Sequence, residues 1–310
     1  MKNLLVSFSG GETSGFMCDW LIKNKSDEYN MLFVFANTSK ENEETLEFVD
    51  YCDKKFNMNL VWIETEFDSA RRIGYKITDF KNAKRNGEVF ESMIQCYGIP
   101  NKAYPHCNRE LKTEPLQRFA KDVFSNKLLN FCRDEHNLLP IYEEYYTAIG
   151  IRADEFDRVS KNRIAKKLYY PLVENISITK PHINVFWKNQ DRRLNLKGYQ
   201  GNCNKCWKKS HRKLMTIELE ERLKDNVDNF WNEMEEKYGD YVPPHRDRKE
   251  VDGKITFYRE NKSNQDIIEM SKKRFARATD DSINYTIQET FFDMSLDATD
   301  GCIESCEPFV

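Results

Sequence analysis

Long apolar runs are missing from these 310 residues. The longest, such as Met31 to Ala36, fall far short of the roughly 18 residues a membrane helix needs, so no membrane role is expected. No signal-peptide pattern is read at the start, and none is expected. Met1-Lys2-Asn3 runs straight into the strand-like Leu4-Leu5-Val6, and a cytoplasmic chain is expected. Charge of one sign does not dominate. Lys plus Arg number 48 against 51 Asp plus Glu, a formal net charge of -3, so there is no global basic field of the kind that marks a nucleic-acid binder. No internal repeat is visible. Two phosphate-loop signatures are also absent: no Gly-Lys-Ser/Thr follows the first strand, and no Gly-x-Gly-x-x-Gly occurs. Apolar mass is present. Hydrophobic residues make up 39% of the chain and aromatics 13%, enough for a sizeable core, which excludes wholesale disorder.

The apolar pattern alternates between strand and helix. Leu4 to Ser9 reads as a buried strand. The polar turn Ser9-Gly10-Gly11-Glu12-Thr13-Ser14 follows, and then a helix with Phe16, Met17, Trp20 and Leu21 at helical spacing. Met31 to Ala36 is a second strand, Glu41 to Phe56 a helix and Leu60 to Ile63 a third strand. This alternation predicts an α/β fold with a parallel sheet and right-handed crossovers. Further on, helices are expected over Val89 to Tyr97 and over Arg109 to Phe124, the second with Pro115 as a local irregularity. Tyr145 to Ile151 reads as a strand, Tyr169 to Leu172 as an extended junction and Pro181 to Trp187 as a short helix start. Lys213 to Tyr238 reads as one long charged helix. The division this suggests is a nucleotide-binding unit over 1–212 and a mainly helical and irregular appendage over 213–310, wrapped on the first.

Gly10 and Gly11, between a buried strand and a helix, suit a phosphate cradle. Glycine lets backbone N–H groups approach an anion, and the helix start adds partial positive charge. Ser9, Thr13 and Ser14 offer hydroxyls. A tight turn with glycines for steric reasons alone is the alternative.

The loop resembles the Ser-Gly-Gly-x-Asp-Ser loop of the PP-loop adenine-nucleotide enzymes, the alpha-hydrolase-like superfamily. More of the chain resembles its phosphoadenosine phosphosulfate (PAPS) reductase branch, especially the reductase-like proteins of phages and mobile elements. The matching stretches are Phe35-Ala36-Asn37-Thr38 with Glu44-Thr45-Leu46; Pro105-His106-Cys107-Asn108-Arg109-Glu110-Leu111-Lys112; Gly150-Ile151-Arg152-Ala153-Asp154-Glu155; Tyr170-Pro171-Leu172; Gly201 to Ser210; and Glu304-Ser305-Cys306-Glu307. They run in family order from residue 7 to residue 307. The resemblance implies a twisted parallel sheet, Rossmann-like, with helices on both faces. An adenine nucleotide, ATP or a PAPS-type sulfonucleotide, would lie over the carboxyl ends of its strands. Ser7, Ser9, Gly10, Gly11, Glu12, Thr13, Ser14, Asn37, Thr38, Gly150 and Ile151 would bind it. Arg152 and Lys112 would bring cations to phosphate or sulfate, because a guanidinium fork matches tetrahedral oxyanions. A surface salt bridge from Arg152 to Asp154, Glu155 or Asp157 is the alternative use of that side chain. One departure matters: the usual Asp of the loop is Thr13 here, which weakens the case for magnesium-assisted pyrophosphate chemistry.

The nine cysteines are an odd number, so they do not make a complete disulfide framework. Cys18 and Cys52 lie in apolar-periodic segments and read as buried structural thiols. Cys203 and Cys206 form a Cys-x-x-Cys, and Cys302 and Cys306 a Cys-x-x-x-Cys. In the resembling reductases a [4Fe–4S] cluster is held by a Cys-Cys pair and a distant Cys-x-x-Cys. Here Cys107, Cys203 and Cys206 match, and Cys306 is the favoured fourth ligand, ahead of Cys302, His106 or an open iron. Zinc is the rival, because spacing alone does not separate the two metals. The tail thiols would otherwise be the reductase nucleophile, but Glu304 and Glu307 should raise their pKa, so ligation is preferred. Lys205 to Lys213 gathers cations around Trp207. They would neutralise a cluster and a polyphosphate, contact nucleic acid, or simply be a solvated helix start.

The function expected is sulfonucleotide reduction or ATP-dependent sulfur transfer, with a sulfur donor or reductant protein as partner and a homo-oligomer left open. The alternative is a degenerate nucleotide-binding module acting on nucleic acid with a partner and holding structural zinc.

Overall fold

The computed structural model describes residues 1–68, 72–125, 144–201, 203–243 and 253–280, together with Ser282 and Phe309. Among them, strands β1 (Lys2–Ser7), β2 (Tyr29–Asn37), β3 (Val61–Phe67), β4 (Arg72–Thr78), β5 (Tyr145–Ala148) and β6 (Leu168–Tyr169) form one sheet in the order β4-β3-β2-β1-β5-β6. All neighbours are parallel except β3 and β4. The chain is therefore α/β, as the alternation of strand and helix predicts.

Successive residues of the central strands face opposite sides, and both sides are buried. Leu4, Val6, Phe33 and Phe35 pack with Met17, Cys18 and Leu21 of helix α1 (Glu12–Lys25), and with Leu46, Val49 and Cys52 of α2 (Glu43–Phe56). Ile183 and Trp187 of α6 (Lys180–Lys188), which follows the one-turn α5 (Pro171–Glu174), complete this layer. Leu5, Val34, Ala36 and Ile63 pack instead with Leu116, Phe119 and Ala120 of α4 (Glu114–Phe124).

A third apolar cluster has no strand in its centre. Val89, Phe90, Met93 and Ile94 of α3 (Glu88–Tyr97) meet Leu214 of α7 (His211–Leu223), Trp231 and Met234 of α8 (Phe230–Tyr238), Ile267 of α9 (Asn264–Ser271) and Phe257. The helices beyond residue 213 thus share a core with residues 89–111. The division at 212/213 falls inside the first turn of α7 and separates no cores.

Besides Pro171 and Leu172, which open the one-turn α5 and are not part of an extended junction, three elements differ from the sequence expectation. The helix expected from Arg109 to Phe124 opens with a wider π-type turn over Arg109–Thr113, and Pro115 sits in the first turn of α4, where its missing N–H has no cost. The single helix expected over 213–238 is two. Asp225 takes a left-handed φ of 53°, and Asp228 accepts a hydrogen bond from the Phe230 N–H at 3.1 Å, so a local side-chain contact replaces the helical one. Strand β4 has no counterpart in the reading. It is an antiparallel edge strand, with Ile77 half exposed.

Candidate active site

The sheet's strand order reverses at β1, which lies between β2 and β5. Open α/β sheets bind ligands at such a point, beyond the carboxyl ends of the strands. Here β1 leads into the glycine loop and β5 into Gly150. Gly10 has φ +81°, and a Cβ on it would stand 2.7 Å from Thr45 Cγ2 and 3.0 Å from Val49 Cγ2, so the turn packs directly on α2. Gly11 is the residue before α1 and no side chain caps that helix. The Ser9 and Ser14 hydroxyls lie 2.9 Å apart, and Ser14 also donates to the Gly11 carbonyl at 3.0 Å. A Cβ on Gly150 would stand 3.0 Å from Ser14 Cα, so glycine lets the end of β5 close on the first turn of α1.

Around this junction lies a cleft of about 320 Å³, lined by Ser9, Gly11, Glu12, Thr13 and Ser14 on one side and Gly150 and Arg152 on another. Lys112, Lys209, Lys213, Cys203 and Cys206 also line it. Arg152 donates to the Thr13 hydroxyl at 3.1 Å and pairs with Asp154 at 3.0 Å and Glu155 at 3.2 Å. Both readings of this side chain are therefore present together: it faces the loop and it is salt-bridged. Glu12 is held by Arg193 through two hydrogen bonds of 2.9 Å, and its carbonyl accepts from the Trp187 indole at 2.8 Å.

Five of the residues expected to bind nucleotide do not line the cleft. Ser7 is buried in the β1 ladder. Gly10 serves the turn beneath it. Ile151 is fully buried in the core against α4, as an apolar side chain should be. Asn37 is fully buried and donates to Glu64 at 2.7 Å and to the Lys84 carbonyl at 2.8 Å. Thr38 donates to Glu41 at 2.7 Å and faces a different, inner pocket.

That inner pocket is lined by Cys107, Cys203 and Cys206, with Lys40, Lys112, Lys205 and Trp207. Cys107 and Cys206 are buried and Cys203 half-buried. The three candidate ligands therefore share one pocket, although no trio of His, Cys, Asp or Glu stands at metal-holding distance among the described residues. Thiols suit iron–sulfur or zinc by their softness, so the donor type fits even though no such set is gathered among the described residues. The Trp207 indole nitrogen is buried there without a hydrogen-bond partner. Cys302 and Cys306 lie outside the described residues.

The basic stretch turns inward more than outward. Lys205 is buried against Glu218 at 2.6 Å and Glu221 at 2.8 Å. Burial opposes its charge, yet these carboxylates hold its pKa above the ordinary lysine value. Lys209 is buried too and donates to the Cys203 carbonyl at 2.7 Å. Cys18 and Cys52 are buried in the core beside α1 and α2, and burial pushes both thiols well up.

Residues 3–82 match the model of the phosphoadenosine phosphosulfate reductase domain. Over 268 residues the chain is 28% identical to an uncharacterized nin region protein of Escherichia phage lambda, covering 83% of this chain and 85% of that one. Two uncharacterized proteins of Methanocaldococcus jannaschii are 28% and 30% identical over 54% and 61% of the chain, which spans only 27% and 35% of their lengths. No solved structure matches significantly. The matched segment spans β1 to β4 and the glycine loop, while Cys107, Cys203 and Cys206 lie beyond it. No helix among the described residues is long and apolar enough to cross a membrane. The sequence reading overlooked Arg158, Lys180 and Tyr199, which also line the cleft. Arg158, six residues after Arg152, had no motif to announce it.

Proposed function

We propose that the chain is an enzyme that binds an adenine nucleotide in the glycine-loop cleft and carries out sulfur chemistry on it, by sulfonucleotide reduction or by ATP-dependent sulfur transfer. One observation supports this above the others. Lys112, Cys203 and Cys206 line both the nucleotide cleft and the inner pocket to which Cys107 also belongs, so the two sites share a wall. The backbone N–H groups at Gly11 and the start of α1 receive phosphate oxygens. Arg152, fixed by Asp154 and Glu155, presents its guanidinium beside Thr13. Lys112, 7% exposed, carries positive charge from the cleft to the thiols. Cys107, Cys203 and Cys206, with Cys306 as the fourth, would hold a [4Fe–4S] cluster, which when bound supplies an electron store close to the substrate sulfur.

The test has two arms. Anaerobically purified protein should carry iron and acid-labile sulfide, both lost in the double variant Cys203→Ser with Cys206→Ser. Stoichiometric zinc, or a metal content indifferent to the substitutions, rejects the cluster. Gly11→Val should remove nucleotide affinity, because φ of -97° admits valine without strain and its side chain would enter the phosphate path. Unchanged affinity rejects the cleft. Turnover with ATP, and separately with PAPS plus thioredoxin, then separates the two reactions.

A further inference from the structure

Arg158 is 5% exposed and lines the nucleotide cleft. One terminal nitrogen contacts Glu155 Oε1. The other, Nη2, and Nε are both buried with no hydrogen-bond partner. A buried polar group without a partner loses its hydration and gains nothing in return, and the loss is greater for a charged group. Its carboxylate cannot make good the deficit. Glu155 Oε2 already accepts from the Arg152 N–H at 3.3 Å and lies 3.2 Å from its guanidinium, so one carboxylate is divided between two arginines. The 3₁₀ turn Ala153–Arg158 carries both arginines at its two ends, and both line the same cleft.

We propose that Arg158 forms a second oxyanion position in the cleft, separate from the glycine loop, which receives a further phosphate or sulfonyl group of the bound nucleotide. The proposal rests on the nucleotide reading above and adds that the ligand carries more than one tetrahedral oxyanion. The Nε–Nη2 edge is the forked face of a guanidinium, which matches two oxygens of such a group. Both nitrogens are closed to bulk water, so the guanidinium must turn toward the cleft to meet the ligand. Glu155 keeps Arg152 as its partner when Arg158 turns. The position is specific to group number rather than to adenine: a nucleoside monophosphate satisfies the loop and leaves Arg158 unmatched.

The experiment is equilibrium binding of AMP, ATP and PAPS to the full chain, wild type against Arg158→Leu and Arg158→Lys. Lysine keeps the charge beside Glu155 but has no fork, and it covers the case in which leucine prevents folding, which circular dichroism reports. Wild type should bind ATP or PAPS more tightly than AMP. Both variants should lose about 10- to 100-fold of that advantage, as expected for two charge-assisted hydrogen bonds, while AMP affinity stays within about threefold. Loss confined to PAPS identifies the sulfonyl or second-phosphate end, and loss with ATP as well identifies the polyphosphate. An equal loss for all three ligands, or none, overturns the proposal. Failure of wild type to bind any nucleotide overturns the parent reading and this one with it.

Discussion

Gly10 and Gly11 are neighbours with different obligations. Gly10 must adopt φ +81° and has Thr45 and Val49 where a Cβ would go. Gly11 has an ordinary φ of -97° and faces the cleft. Their substitutions should therefore separate. Gly10→Ala is expected to destabilise the chain by roughly 2 to 4 kcal/mol, from a strained backbone plus overpacking, seen as a lower urea midpoint. Gly11→Val should leave that midpoint nearly unchanged and abolish binding. An alanine at position 10 that costs nothing would show that the turn relaxes freely. At this scale the sequence was legible where a residue type has one use. A Gly-Gly pair after a strand is such a case, and so is the Cys-x-x-Cys. Asn37 and Ile151 were less legible, because a residue beside a site can turn into the core. The periodicity that would decide this is short: Ile149 and Ile151, two apart, both point into the layer against α4.

The Cys-x-x-Cys loop shows what elements add to residues. Cys203 and Cys206 are separated by Asn204 and Lys205, and both of these are tied to α7, Lys205 also to the break that follows it. Asn204 donates to Glu221 at 2.8 Å, and Lys205 reaches Glu218, Glu221 and the Asp228 carbonyl. Lys40 holds Asp228 from the opposite side at 2.8 Å. Such an ion cluster contributes little net stability against an apolar replacement, but removing one partner strands the others. Lys205→Met should therefore cost about 3 to 5 kcal/mol in urea unfolding and speed alkylation of Cys203 and Cys206. Wild-type stability with unchanged thiol rates would show that the lysine does not hold the loop. None of this could be read from charge pattern. Lys205 to Lys213 looks like a solvated basic run, and only the packing of α7 on the loop brings Glu218 and Glu221 to Lys205, the break after Leu223 adding the Asp228 carbonyl. That break hides in sequence because Asp225, Asn226, Asp228 and Asn229 interrupt a helical charge pattern without a glycine or proline.

At the scale of the whole molecule, the cluster that joins the front and back halves carries a titrating group. Glu235 accepts hydrogen bonds from the Phe257 and Asn264 N–H groups, both at 2.8 Å. Burial nevertheless pushes its pKa from 4.5 up to about 7, with the nearby Asp266 adding to the rise. Below about pH 4.5 the folded and unfolded chains both hold the proton. Between that and about pH 7 only the folded chain does, so stability should fall as pH rises, by roughly 3 kcal/mol across the window. Urea midpoints from pH 5 to 8 should show the decline in wild type and lose most of it in Glu235→Gln. A decline that survives the substitution belongs to another group. The same cluster bears on the division at residue 212. Trp231 and Phe257 stack with ring centres 3.3 Å apart, and together with Phe90 and Leu111 they line the thiol pocket. A chain ending at 212 would expose the apolar faces of α3 and the Arg109–Thr113 turn and would leave the thiol pocket without one wall. It is expected to associate on gel filtration and to bind an apolar dye, with no cooperative melt. A monomeric, cooperatively melting 1–212 chain would mean that the glycine-loop half carries its own stability, and that the shared core serves the thiols rather than the fold.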